Sequence, residues 1–234
     1  MILIDNGSID GTADYFQKLK EKTKCGGGRN LSRLVIVISK DNIGVSGALN
    51  RGIKVSRGNH ICYLNNDVIV TSGWLEKLIR CAESDKKIGI VGCSTHLPGN
   101  DEKYFKGSPK YKDIHDIQRT SIAISMSRKN IHPMEAAIIK GLCMFIKRKV
   151  VEKIGLFDER FHPCTGEDID YSFRAREAGF RLVNAMDVFI FHFLSKSTRS
   201  NEFDKAYGSI KEVIAKAKVL LVSKWGKAGA SFCR

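Results

Sequence analysis

Four short segments of this chain carry side chains able to do chemistry. Leu64-Asn65-Asn66-Asp67 follows an apolar run and ends in a carboxylate. That is a hard, oxygen-rich donor set, suited to magnesium or manganese bridging substrate phosphates; the same residues would also serve as an ordinary turn after a strand. Gly166-Glu167-Asp168-Ile169-Asp170 places three acids in four residues at a helix start, where they complement the helix dipole. Glu167 and Asp168 directly follow a turn, so they can also project into a cleft, one as general base and the other as an orienting group. Asp5-Asn6-Gly7-Ser8 reads either as a glycine-rich turn capping the next helix or as a loop whose side chains bind a nucleotide base and ribose. His192 follows Val188-Phe189-Ile190-Phe191 and is either a satisfied strand-end residue or a functional one.

The elements that must position these groups alternate. Apolar runs at 2–4, 34–38, 60–64 and 88–92 read as strands; amphipathic stretches at 13–24, 45–57 and 73–83 read as helices. This rhythm predicts a mostly parallel sheet with helices on both faces, in which ligands bind at the carboxyl ends of the strands. Two of those ends are the polar segments at 5–8 and 65–67. The stretch from 96 to 135 is polar, basic and irregular, with Thr120 to Met126 read as an edge strand. Beyond it, Ala136 to Ile146 reads as a strand pair element, 148–154 and 168–178 as helices, 182–191 as a strand and 202–222 as one amphipathic helix.

With 43% hydrophobic and 27% charged residues over 234 positions, the composition excludes a disordered or collagen-like chain. No apolar stretch is long enough to span a bilayer, and the N-terminus lacks a secretory pattern, so a cytoplasmic location is expected. Seven cysteines at 25, 62, 81, 93, 143, 164 and 233, with no CxxC pair, argue against a disulfide framework and a structural zinc. Thirty-nine Lys and Arg against 25 Asp and Glu give a net +14, which favours anionic partners. No helix-turn-helix, zinc or aromatic-platform pattern supports nucleic acid, so none is expected as a partner.

Taken together the segments resemble glycosyltransferase family 2 and its GT-A, Rossmann-like fold. The resemblance runs through 4–12, Asn42-Ile43-Gly44 to Asn50-Arg51-Gly52-Ile53, 64–67, Gly73-Trp74-Leu75, 155–161, 167–170, 174–180, His192 and Lys224-Trp225-Gly226. It implies one domain over 1–234, with a nucleotide-binding half at 1–95 and an acceptor and catalytic half at 96–234. It implies an inverting transfer of a sugar from a nucleotide-diphosphate donor to an acceptor hydroxyl, in surface polysaccharide or glycolipid synthesis. Asp5, Asn6, Ser8, Asn42, Gly44, Asn50 and Asn66 would contact the nucleotide sugar. Asp67 and His192 would hold magnesium or manganese, and Asp168, beside Glu167, would deprotonate the acceptor, a glycan or a lipid-linked one.

The resemblance also implies a strand and helix ahead of Asp5, with that strand lying inside the sheet. Residue 1 here stands at the second strand, so an N-terminally truncated sheet is expected, with both flanking ladders lacking a partner. A non-catalytic nucleotide- or glycan-binding relative is the alternative reading. The basic excess adds an expectation of peripheral contact with anionic lipid at the inner face of the membrane.

Overall fold

The β-branched runs Ile2–Asn6 (β1) and Val35–Ser39 (β2) pair in parallel, Ile2 against Val35 through Asn6 against Ser39. The structure, a computed structural model, describes residues 1–24, 34–95, 113–128, 131–193 and 201–233. Between these strands runs α1 (Thr12–Lys24). The chain continues through α2 (Gly44–Val55), β3 (His60–Leu64), β4 (Val68–Ile69), α3 (Trp74–Glu83) and β5 (Ile88–Ser94). After α4 (Ile114–Ser127) come β6 (Met134–Glu135), β7 (Cys143–Lys147), α5 (Arg148–Ile154) and α6 (Glu167–Glu177). The last elements are β8 (Arg181–Phe189), β9 (Phe191–His192), α7 (Asn201–Tyr207) and α8 (Ile210–Ala230).

The main sheet has the order β3-β7-β5-β8-β6. Its period-two alternation sorts side chains onto two covered faces. Cys143 and Phe145 of β7 join Leu78, Cys81 and Ala82 of α3 on one face. Met144 and Ile146 join Ile53 of α2, Val150 of α5 and Tyr171 of α6 on the other. Every residue of β5 and β7 is buried, which explains their near-continuous apolar sequence. The six cysteines among the described residues are all free thiols, and Cys25 lies outside those residues.

The expectation of a mostly parallel sheet needs correction. Only β5–β8 is parallel; β3–β7, β5–β7 and β6–β8 are antiparallel. The strand–helix rhythm breaks after β5, and the strand that emerges, β7, enters between β3 and β5 in the reverse direction. The five strands therefore interleave residues from both sides of position 96.

Among the described residues β1 pairs with β2 alone, and β3 with β7 alone. The β1–β2 pair and the five-stranded sheet are thus separate ladders among the described residues. Helix α2 spans the two pieces. Its Gly52 packs so closely on β1 that an added Cβ would lie 2.6 Å from Ile4 Cδ1, while Leu49 and Ile53 pack with Ile61 and Tyr63 of β3.

Two further elements differ from expectation. Thr120 to Met126 lies within α4, not in an edge strand. The Asp113 side chain caps the helix by accepting from Asp116 N–H, and Ile117, Ser121 and Ile124 bury one helical face. The single helix expected over 202–222 is two. Gly208 at φ +80° ends α7, and Ser209 starts α8 with a capping box to Glu212.

Candidate active site

Strand β3 ends at Leu64, and the turn Asn65-Asn66-Asp67 turns the chain into β4. There Val68 pairs with His192 of β9, so two short antiparallel strands bring Asp67 and His192 together. His192 Nε2 lies 2.9 Å from Asp67 Oδ1 and 3.3 Å from Asn65 Nδ2. The Phe193 N–H donates to the Asp67 carbonyl, closing the turn from the other side. Asn65 Oδ1 accepts from the Tyr63 hydroxyl at 2.8 Å. Asn66 is exposed at the tip.

The acidic segment meets this group from α6. Gly166 precedes the helix at φ +95°, where an added Cβ would also lie 2.8 Å from the Phe161 ring, so the turn demands glycine. Asp168, half-buried, accepts from Gly141 N–H at 2.9 Å through Oδ2 and from Ile169 N–H at 2.8 Å through Oδ1. A Cβ on Gly141 would contact both Tyr63 and Asp168, which places the tyrosine ring beside the acid. Burial pushes the Tyr63 hydroxyl well above its usual value, and the charges of Glu167, Asp168 and Asp67 push it the same way. Asp67, His192, Asn65, Tyr63, Glu167 and Asp168 thus form one continuous group.

Glu167 is buried, and its Oε2 has no hydrogen-bond partner among the described residues. Burial, reinforced by the Asp168 charge, pushes its carboxyl up to about 8. Burial thus favours its protonated form. Asp170 points elsewhere. Fully buried, it accepts from Arg174 Nε at 2.9 Å and Trp225 Nε1 at 3.0 Å, and pairs with Lys224 Nζ at 2.6 Å. Lys224 also reaches Asp158 at 2.7 Å. These bonds fasten α8 to the start of α6, and Gly226, at φ +63°, kinks α8 just after the anchor.

The segments around β1 form a second group. Asp5 is buried and accepts from Ser8 N–H at 3.0 Å, holding the Asn6-Gly7-Ser8 turn. Asn6 donates to Asn42 Oδ1 at 2.9 Å and Gly44 O at 3.1 Å, and accepts from Ile43 N–H at 3.1 Å. Asp5, Ser8, Asn6, Asn42 and Gly44 are therefore brought together, with the Asn6 amide cross-linking β1 to the start of α2. Asn50 is not among them. Its buried amide clips Phe157 N–H and O, each at 2.9 Å, and Glu159 Oε1 at 2.8 Å, which fixes the 157–159 loop on α2.

Among the described residues no three His, Cys, Asp or Glu cluster tightly enough to hold a metal alone. Asp67 and His192 fit a metal that takes its other ligands from phosphate and water. The chemistry of the pair, a carboxylate and an imidazole 2.9 Å apart at one strand end, would suit a divalent ion shared with a diphosphate.

The sequence profile of Glycosyl transferase family 2 matches residues 1–155. The chain belongs to this family. Over 189 residues it is 27% identical to Glycosyltransferase AglE of Haloferax volcanii, covering 80% of this chain and 54% of AglE. It is 27% identical over 167 residues to O-antigen biosynthesis protein RfbC of Myxococcus xanthus, covering 67% of this chain and 12% of RfbC. The chain thus spans about half or less of these two family 2 relatives. The fold resembles GalNAc-T7 crystallised with UDP, GalNAc and Mn2+, at TM-score 0.68 and 17% identity over 97% of this chain and 43% of the other. It also resembles the mannosyltransferase PcManGT of Pyrobaculum calidifontis with GDP-Man and Mn2+, at TM-score 0.57 and 19% identity over 98% and 63%. The α/β architecture of this family 2 chain is therefore GT-A-like.

Proposed function

We propose that this chain is an inverting glycosyltransferase that moves a sugar from a nucleotide-diphosphate donor to an acceptor hydroxyl. The observation that carries this reading is the convergence of Asp67, His192 and Asp168 at the end of β3, linked through Asn65, Tyr63 and Gly141. Family membership supports the reaction class. The nucleotides and Mn2+ in GalNAc-T7 and PcManGT support the donor class and metal.

Asp67 and His192 would hold manganese or magnesium, which when bound neutralises the diphosphate and makes it a better leaving group. The Asn6–Asn42–Gly44 cross-link fixes the loop at the β1 end, where Asp5 and Ser8 would line the donor pocket, and Asn66 would reach the donor from the tip of the β3–β4 turn. Asp168 Oδ2 keeps a lone pair free beside its bond from Gly141. There it accepts the acceptor's hydroxyl proton as the oxygen attacks the anomeric carbon. The new C–O bond forms as the bond from that carbon to the diphosphate breaks, and the nucleoside diphosphate leaves with the electron pair. Burial favours the protonated form of Glu167, which makes it less suited to the role of base than half-buried Asp168.

The acceptor in this reading is a glycan or lipid-linked sugar of a surface polysaccharide or glycolipid, met on the cytoplasmic side of the membrane. The name of RfbC, an O-antigen biosynthesis protein, supports a surface polysaccharide. The test is release of nucleoside diphosphate from a panel of UDP- and GDP-sugars with manganese, with and without simple glycoside acceptors. Asp168→Asn should lower turnover by about 10² to 10⁴, with donor affinity little changed. Nucleotide binding with no turnover on any donor, in parent and variant alike, would favour a non-catalytic binding role.

A further inference from the structure

Helix α8 buries one face and leaves an apolar stripe on the other. Ala217 and Leu221 pack with Phe161 and Ile169 against α6. At 100° per residue the opposite face carries Lys211, Ala215, Lys218, Val219 and Val222. Val219 is 72% exposed and Val222 45% exposed. Lys211, Lys216 and Lys218 border the stripe, all exposed, and none forms an ion pair among the described residues. The helix contains one acid, Glu212, and its carboxylate is turned back onto Ser209.

We propose that this face of α8 docks on an anionic lipid bilayer. Three uncompensated lysines match anionic headgroups, and two exposed valines between them suit the shallow headgroup–acyl boundary. No described helix is long and apolar enough to cross a membrane, so contact would be peripheral.

The placement gives the contact a purpose. An added Cβ on Gly166 would lie 3.5 Å from Ala217 Cβ on the inner face of α8. A bilayer on the outer face then lies about one helix diameter, about 10 Å, from the turn carrying Asp168. A lipid-linked acceptor would be held at that distance. This purpose rests on the reading proposed above; the docking itself requires no catalysis.

The test is co-sedimentation of the full chain with equimolar phosphatidylglycerol–phosphatidylcholine vesicles at low salt, with pure phosphatidylcholine as the neutral control. The parent should bind the anionic vesicles and not the neutral ones. Lys216→Glu with Lys218→Glu should weaken binding at least about tenfold. Val219→Ser with Val222→Ser should weaken it too. Lys86→Glu with Lys149→Glu, at the cleft beside the start of β3, should leave it unchanged. Each variant's melting temperature checks its fold.

Equal recovery of the parent with both vesicles would overturn the proposal, as would undiminished binding by the Lys216/Lys218 variant or loss confined to the Lys86/Lys149 variant. Lipid-free self-association abolished by the valine substitutions would assign the stripe to a second copy and overturn it as well. Nucleoside diphosphate release without vesicles should be the same in all three variants. Failure of that release with vesicle binding intact would count against the transferase reading alone.

Discussion

His192 Nε2 lies 2.9 Å from Asp67 Oδ1, across 125 residues of chain. Two ladder pairs, Val68 with His192 and Ile69 with Phe191, create that contact. The strand that delivers Asp67 is one edge of the main sheet, and the segment that delivers His192 follows β8, three places across it and next to the other edge. The core between them sets the geometry of the candidate metal site.

Tyr63 supports this contact through Asn65. Tyr63→Phe removes one hydrogen bond, so stability should fall by only about 0.5–1.5 kcal/mol. Apparent manganese affinity should fall more clearly, because Asn65 loses the hydroxyl that fixes its amide beside His192. Titrating manganese into parent and variant with a nucleoside diphosphate present checks this. Unchanged affinity would reduce Tyr63 to a packing residue.

Asp170 is an anchor rather than a base. Asp170→Ala would leave Arg174 without its buried carboxylate, Trp225 Nε1 without an acceptor and Lys224 with Asp158 alone, at a cost of about 3–5 kcal/mol. For a chain of this size the melting temperature should drop by about 10 °C. Calorimetry measures it directly, and a drop of only a degree or two would show that α8 is held mainly by its apolar face.

Glu167 gives the protein a pH-dependent stability. The folded chain holds a proton on this carboxyl up to about 8, whereas the unfolded chain releases it near the ordinary value of 4.5. The stabilisation is complete below the unfolded value and is lost as pH rises toward the folded one. Glu167→Gln stays neutral throughout. The parent should therefore lose stability relative to Glu167→Gln between about pH 5 and pH 8. Parallel melts across that range would contradict the buried, protonated state.

The groups most legible in the sequence were those set off by contrast. An acid after an apolar strand marked Asp67, and an acid pair after a glycine turn marked Asp168. Asn65 and Tyr63 were harder to see. Tyr63 lies inside a strand, where an aromatic residue reads as core, yet Tyr63 and Asn65 share a face at spacing two and that signal was available. Asn50 sits in a family-like stretch, but only packing shows that its amide is spent on the 157–159 loop. The direction of β7 depends on how the chain returns after β5, and local pattern does not encode it. In α4 the alternation of Ile122, Ile124 and Met126 mimics a strand, while burial of Ile117, Ser121 and Ile124 together decides for a helix.

The central claim is that Asp67 and His192 hold a divalent ion against a nucleoside diphosphate. It is tested most directly by melting the parent, Asp67→Ala and His192→Ala with UDP or GDP, with and without manganese. The parent's melting temperature should rise only when nucleotide and metal are both present. That rise should be absent in Asp67→Ala and reduced in His192→Ala, with all three proteins folded. A rise that is equally large without manganese, or that survives in Asp67→Ala, would contradict it.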